Sequence, residues 1–266
     1  MTDRLKGKVA YITGAGSGIA RAAAHVFARE GAKVALAEID PERGERVAAS
    51  VRAAGGDAKL FPTDVTDPAS VEASLAGAVT EFGRLDVLFN CAGGSLAEDR
   101  PVTEVDLSVW EHTIGLDLKG PFLCCRYGIP HLVAAGGGSI VNVTSVVALR
   151  GNFPGHVYTA AKGGIVSLTQ ALAGRYWRDN IRANAIAPGV ILSERIQARC
   201  GLDPNDPPER QIAQALEKMS KLFDARHPFS YGMPEDIANV ALFLASEESR
   251  MVTGAVIPAE GGLSAY

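Results

Sequence analysis

The sequence predicts a single doubly wound α/β domain, with about seven parallel strands in one sheet and helices on both faces. Three observations carry that prediction. Short β-rich runs alternate with segments whose apolar residues recur every three or four positions. The β-rich runs are apolar nearly throughout, as strands covered on both faces must be. No repeat, low-complexity tract or linker divides the 266 residues, and a chain of that length with 47% hydrophobic residues can bury a large core.

The first strand, "KVAYIT" (8–13), runs into "TGAGSGIA" (13–20), which opens a helical pattern at 18–30. Gly14, Gly16 and Gly18 let the backbone turn tightly and approach a pyrophosphate, whose charge then sits at the positive end of the helix. Ser17 and Ile19 belong to the same binding turn. The second strand, "KVALAE" (33–38), ends in Glu38, 20 residues beyond Gly18 (38 minus 18), the interval expected for a ribose-binding carboxylate. A carboxylate there accepts from the adenosine 2′-hydroxyl and repels a 2′-phosphate, so the expected cofactor is NAD.

A helix at 41–54, a strand at 58–62 ("AKLFP") and a helix at 68–83 follow. Strands at 85–90 ("LDVLFN") and 139–145 ("SIVNVTS") come next, then a helix at 158–179, a strand at 181–188 ("IRANAIAP"), a helix at 234–246 and a last strand at 255–260 ("AVIPAE"). Residues 193–231 break the alternation. The segment holds "GLDPNDPPER" and about two helical stretches, too much for an ordinary connection, and it leaves the sheet at the strands' carboxyl ends, where such sheets bind ligands. It is expected to be a flap whose Ile196, Leu216, Met219, Leu222 and Phe223 close over a hydrophobic substrate. A subunit-interface arm is the alternative.

In "VYTAAKGG" (157–164), Tyr158 and Lys162 stand four apart and share one face of a helix. A free phenol has a pKa of about 10. A positive charge about 4.5 Å away, at an effective dielectric near 20, favours the phenolate by roughly 3.5 kcal/mol. That pairing would suit Tyr158 to proton transfer near neutral pH, while an ordinary surface pair is the plainer reading of the spacing alone.

Composition excludes other classes. A net charge of -4 without a Lys/Arg run argues against nucleic-acid or membrane-surface partners. The start of the chain lacks a signal peptide's apolar core, and no apolar run reaches membrane-spanning length, so the cytoplasm is the expected compartment. Cys91, Cys124, Cys125 and Cys200 form no CxxC motif and are expected to be reduced and structural. The five histidines have no partners at ligand spacing, so no metal is expected.

The motifs taken together resemble the short-chain dehydrogenase/reductase family, in its compact one-domain branch, over nearly the whole chain. They occur in family order: "TGAGSGIA"; Asp64 and Val65 for the adenine; Asn90, Ala92 and Gly93 in "NCAGG"; Ser145; "YTAAK"; and Pro188–Gly189. Ser145 precedes Tyr158 by 13 residues (158 minus 145), the family's usual spacing. The resemblance implies hydride transfer between a secondary alcohol or its ketone and a nicotinamide. Tyr158 would be the acid/base, Ser145 would stabilise the substrate oxygen, and Lys162 would also hold the nicotinamide ribose. Ile191 and Ser193 match positions that contact the carboxamide. It further implies a homotetramer packed through helices around 107–130 and 158–177.

Two departures stand out. Asp117, in "DLKG", replaces the usual Asn, whose backbone carbonyl serves a proton-relaying water; because that contact is main-chain, Asp can serve. Cys91 replaces an Asn and is read as packing. His156 and Arg150 are candidates for the pocket, Arg150 toward a substrate carboxylate, with solvent exposure the simpler reading of each. The alternatives are an NADPH-dependent reductase of 3-oxoacyl thioesters, which would want a basic residue near positions 17 or 39 where the chain has Ser17 and Ile39, and a dinucleotide-binding protein without chemistry.

Overall fold

The computed structural model describes residues 3–151, 153–203, 205–219 and 231–265. Its centre is one parallel sheet of seven strands: β1 (Val9–Thr13), β2 (Lys33–Glu38), β3 (Asp57–Pro62), β4 (Val87–Asn90), β5 (Gly138–Val143), β6 (Ile181–Pro188) and β7 (Val256–Ala259). The strands lie in the order β3-β2-β1-β4-β5-β6-β7. β1 pairs with β2 on one side (Ile12 opposite Leu36) and with β4 on the other (Ile12 opposite Phe89). The connection therefore reverses direction between β1 and β4, which opens a crevice at their carboxyl ends.

Successive residues of each strand point to opposite faces, and both faces are buried. Ala10, Ile12, Val34, Leu36 and Phe89 pack beneath α1 (Gly18–Arg29) and the late helix Pro234–Ala245. Tyr11, Ala35, Ala37, Leu88 and Ile140 face the other way, against α3 (Pro68–Phe82) and the helices that follow it. α2 (Pro41–Ala53) starts sharply because Asp40 accepts from the amides of Glu42 and Arg43 at 3.1 Å and Pro41 presets the first turn. Asp67 and Pro68 do the same for α3, which ends at Gly83 with φ 85°.

Between β4 and β5 the chain forms α4 (Leu107–Ile114), one π-helical turn (Gly115–Lys119) and α5 (Gly120–Ala134), running on without a break. The widened turn falls on Asp117, and such turns cluster at functional sites. β5 stops two residues short of Ser145, which instead caps a single 3₁₀ turn, Val146–Ala148. α6 (His156–Tyr176) carries Tyr158 and Lys162 in its first two turns.

After β6 come the short α7 (Glu194–Arg199) and α8 (Pro208–Met219), then α9 (Pro234–Ala245). The two ends of this excursion are fastened together. The Leu192 amide donates to Gly232 O at 2.9 Å, and the Gly232 amide donates to Val190 O at 2.8 Å. Of the residues expected to form the flap's apolar underside, Ile196 is half-buried. Leu222 and Phe223, and the side chains of Leu216 and Met219, lie outside the described residues. Among the described residues no helix is long and apolar enough to cross a membrane.

Candidate active site

At the carboxyl ends of β1 and β4 the backbone forms a cleft of about 810 Å³, walled by Gly14, Gly16, Ser17, Gly18, Ile19 and Glu38, with Ala92 and Gly93 opposite. Thr13 ties the two strand ends together: its hydroxyl oxygen accepts from the amides of Cys91 and Ala92 at 3.0 and 3.1 Å. Gly14, at φ 69°, passes so close to that loop that a Cβ would come within 2.9 Å of Ala92 Cα, so glycine is required.

Glu38 is 9% exposed, and its carboxylate accepts from the amides of Gly16 (2.8 Å), Ile39 (3.0 Å) and Asp40 (3.1 Å). A carboxylate offers about four acceptor positions, so it still has room for a hydroxyl donor and none for a phosphate. At the start of α1, the Gly18 amide donates to Glu194 Oε2 at 2.9 Å, and the same carboxylate pairs with Arg21 at 2.5 Å. An anion of this chain thus already lies on the helix terminus where a pyrophosphate belongs. The glycine cradle, the nearly buried acid beside it and the anion-holding terminus together fit a dinucleotide.

Three residues assigned to the cofactor stand apart from these walls. Asp64 accepts from the Thr66 amide and hydroxyl at 2.8 and 2.7 Å, Val65 is buried against Gly120, and Asn90 donates to Asn142 Oδ1 at 2.8 Å inside the sheet.

A second cavity of about 150 Å³ adjoins the first, and the two share Ile19, Cys91, Gly93, Ser193 and Arg195. Its walls bring together Ser145, Tyr158, Lys162, Pro188, Gly189 and Ile191. Ser145 is nearly buried, and its hydroxyl oxygen accepts only a long bond, 3.4 Å, from the Val147 amide. The Tyr158 ring lies 6.3 Å from Phe153 and 5.5 Å, centroid to Nζ, from Lys162.

Lys162, 3% exposed, donates to Val143 O at 3.1 Å and pairs with Asp117 Oδ1 at 3.0 Å. Its ammonium has three protons, and these contacts engage two. Burial opposes its charge; the fields of Tyr158 and Asp117 outweigh burial, so its pKa stands above the ordinary lysine value.

The structure adds a side-chain role to the main-chain one expected of Asp117. Its carboxylate is fully buried, accepts from the Gly94 amide at 2.8 Å and forms the ion pair with Lys162. A Cβ on Gly93 would collide with Asp117 Oδ1, which is why the loop carries glycine there. Asn could accept from Gly94, but it could not supply the charge.

Cys91 is half-buried and packs against the core while lining both cavities, and burial pushes its thiol up to about 12. His156 is exposed, and its Nδ1 accepts from the Val102 amide at 3.0 Å, outside the cavity walls. Arg150 is not part of those walls either.

Several residues that spacing did not reveal complete the site. Asp99, 6% exposed, accepts from the amides of Val157 (3.2 Å) and Tyr158 (2.8 Å), so it caps the helix terminus that presents the tyrosine. The short helix α7 contributes Arg195 and Arg199 to the smaller cavity, which Ser95 also lines. Arg43 and Arg46 line the adenosine end of the cleft, and Arg43 pairs with Asp40 at 3.0 Å. None belongs to a short motif; each is delivered by tertiary packing.

Comparison with known proteins agrees with this architecture. Residues 14–264 match a family model described as enoyl-(acyl carrier protein) reductase. The chain is 36% identical to cis-4-hydroxycyclohexanecarboxylate dehydrogenase of Sinomonas cyclohexanicum over 266 residues, covering 100% of both chains. It is also 36% identical to D-threitol dehydrogenase of Mycolicibacterium smegmatis, over 97% of this chain and 94% of that one. The crystal structure of a short-chain dehydrogenase/reductase from Burkholderia xenovorans superposes with a TM-score of 0.88 at 36% identity, covering 99% of this chain and 98% of that one. With the glycine turn, the seven-stranded parallel sheet and relatives of equal length in hand, the chain belongs to the short-chain dehydrogenase/reductase family, oxidoreductases that bind a nicotinamide dinucleotide.

Proposed function

We propose that the protein is an NAD-dependent oxidoreductase of a secondary alcohol or its ketone, with Tyr158 as acid/base, Lys162 as its electrostatic partner and Ser145 as the group that stabilises the substrate oxygen. The observation that supports this best is that Ser145, Tyr158 and Lys162 line one small cavity that opens directly into the glycine-turn cleft. When bound, the nicotinamide supplies the hydride acceptor or donor.

The chain's own residues do the rest. The substrate hydroxyl sits between Ser145 and Tyr158; Ser145 holds the oxygen by a hydrogen bond, and Tyr158 takes its proton as the carbon–hydrogen bond breaks, or returns it in the reverse direction. Lys162 stabilises the phenolate, and its uncommitted proton is available to a ribose hydroxyl. Asp117 holds Lys162 against the strand end, and Asp99 holds the turn that aims Tyr158. Pro188, Gly189, Ile191 and Ser193 form the wall for the nicotinamide, and Glu38 receives the adenosine ribose. The whole chain acts as one catalytic unit, with residues 193–231 as the cover.

A second reading rests on Arg43 and Arg46. These supply, at the adenosine end, the positive charge that Ser17 and Ile39 do not, as an NADPH-dependent reductase of 3-oxoacyl thioesters would need. Glu38 and the Arg43–Asp40 pair oppose it. One experiment separates the two: secondary alcohols, among them 4-hydroxycyclohexanecarboxylate and threitol, are offered with NAD or NADP, and 3-oxoacyl thioesters with the reduced cofactors. Alcohol oxidation with higher kcat/KM for NAD is expected; thioester reduction preferring NADPH would replace the first reading with the second. The groove between α5 and α6, lined by Phe122, Ile129, Val133, Leu168 and Tyr176, is the face we assign to tetramer assembly in the cytoplasm, and light scattering on the purified protein checks the assembly.

A further inference from the structure

We propose that Arg199, with Arg195 one turn before it, recognises an oxyanion on the substrate, so that the alcohol handled here is a hydroxy acid whose negative group lies away from the reacting carbon. The inference rests on the alcohol-dehydrogenase reading above and names the substrate class of that same cavity.

The cavity is one-sided in charge. Its described walls contain Lys162, Arg195 and Arg199 and no Asp or Glu, in a chain with 30 acidic and 26 basic residues. Lys162 is neutralised by Asp117. The two arginines are not neutralised in this way. Arg195 donates to Gly93 O at 2.5 Å and Arg199 to Ser95 Oγ at 3.1 Å, both uncharged acceptors, and neither forms an ion pair among the described residues. A guanidinium has five N–H donors, so most of each fork is free.

Three acids of the same excursion are engaged elsewhere. Glu194 is on Arg21 and the Gly18 amide, Asp206 is on Arg210, and Asp203 accepts from Asn205. Two arginines four apart share a face of α7, and both reach the loop after β4.

The order of burial along the cavity gives the arrangement a direction. Ser145 is buried, Tyr158 is half-buried and Arg199 is exposed. The same walls carry the apolar Val146, Val147, Phe153, Val190 and Ile196. A ligand with its hydroxyl at Ser145 and Tyr158 therefore shares the cavity with apolar walls and with two guanidinium groups, which bind planar oxyanions bidentately. Arg195 also borders the dinucleotide cleft, whereas Arg199 does not, so Arg199 carries the assignment.

The test uses matched pairs differing in charge but hardly in shape: 4-hydroxycyclohexanecarboxylate with 4-hydroxycyclohexanecarboxamide, and 3-hydroxybutyrate with its amide, plus 2-hydroxypropanesulfonate as a second oxyanion. Wild type and Arg199→Gln are compared, the substitution being on an exposed helix face where the fold tolerates it. Wild-type kcat/KM is expected to favour at least one acid over its amide about 100-fold, and Arg199→Gln to erase that preference by raising KM for the acid far more than for the amide. Calorimetric binding of the acids to the protein, without turnover, is expected to weaken in parallel. Amides or other neutral alcohols oxidised as well as the acids would overturn the inference and leave the dehydrogenase reading standing. Failure to oxidise any alcohol with either dinucleotide would overturn both. An Arg199→Gln enzyme that keeps its preference for acids would remove Arg199 from the role.

Discussion

The two cavities of the active cleft are built from different materials. The dinucleotide side is made of main chain: glycines, the first amides of α1 and strand-end amides that hold Glu38. The substrate side is made of side chains, brought from the loop after β4, from α6 and from the excursion after β6. Backbone sites impose a conformation and so leave a spacing in the sequence. Side-chain sites impose only a location in space, which many sequences satisfy. The comparison teaches that one protein can state its cofactor class in a dozen consecutive residues and disperse its substrate class over a hundred.

Substitutions on each side sharpen that contrast. The largest effect is expected for Tyr158→Phe, which keeps the ring against Phe153 and removes the proton: kcat falls about 1000-fold, while NAD affinity measured by fluorescence titration stays within about twofold. A variant retaining a tenth of wild-type turnover would show that another group is the base.

Asp117→Asn comes next, since it keeps an acceptor for Gly94 and deletes the negative charge that faces Lys162. Leaving a buried ammonium unpaired costs about 3 kcal/mol or more of stability, read from urea unfolding. The pH dependence has a definite sign. Lys162 is held charged above the ordinary lysine value, so its stabilising contribution is present at lower pH and is lost only as pH rises through that elevated value. Removing Asp117 lowers the value, and the alkaline loss of kcat/KM should move to lower pH. An unmoved alkaline limb would mean that the pair does not control the active lysine.

Glu38→Ala tests the backbone-built side. It removes the ribose acceptor and the repulsion of a 2′-phosphate without adding a cation, so the ratio of kcat/KM for NAD over NADP should shrink about tenfold and not reverse. A native preference for NADP would instead elevate Arg43 and Arg46. The smallest effect is expected for Asp99→Ala, which uncaps α6: about 1 kcal/mol of stability and a several-fold fall in kcat with little change in KM. An equal rise in KM would place Asp99 in binding rather than in aiming Tyr158.

The strands were legible because a sheet buried on both faces demands long apolar runs, and all seven runs recur as strands. The glycine turn and Glu38 were legible because spacing there is dictated by backbone geometry. Ser145 and the Tyr158–Lys162 pair were legible through family pattern, and Lys162 through helical spacing as well. What escaped has a common physical cause. Asp99 meets Tyr158 across 59 positions of chain, and Arg199 meets Ser95 across 104. Asp117 was noticed for its main chain, yet its carboxylate's partner Lys162 lies on another helix, so the charge pair was not legible. Arg150 drew attention as the cation for a carboxylate, while the arginines that line the cavity come from α7, whose placement no local pattern encodes.

Glu194 gives the cleft a further property. Since its carboxylate occupies the first free amide of α1, a dinucleotide docking there performs an exchange rather than an addition: one anion leaves as another arrives. The displaced carboxylate belongs to the same short helix as Arg195 and Arg199. A cofactor at the helix terminus and a substrate beside the arginines would thus meet two ends of one six-residue helix.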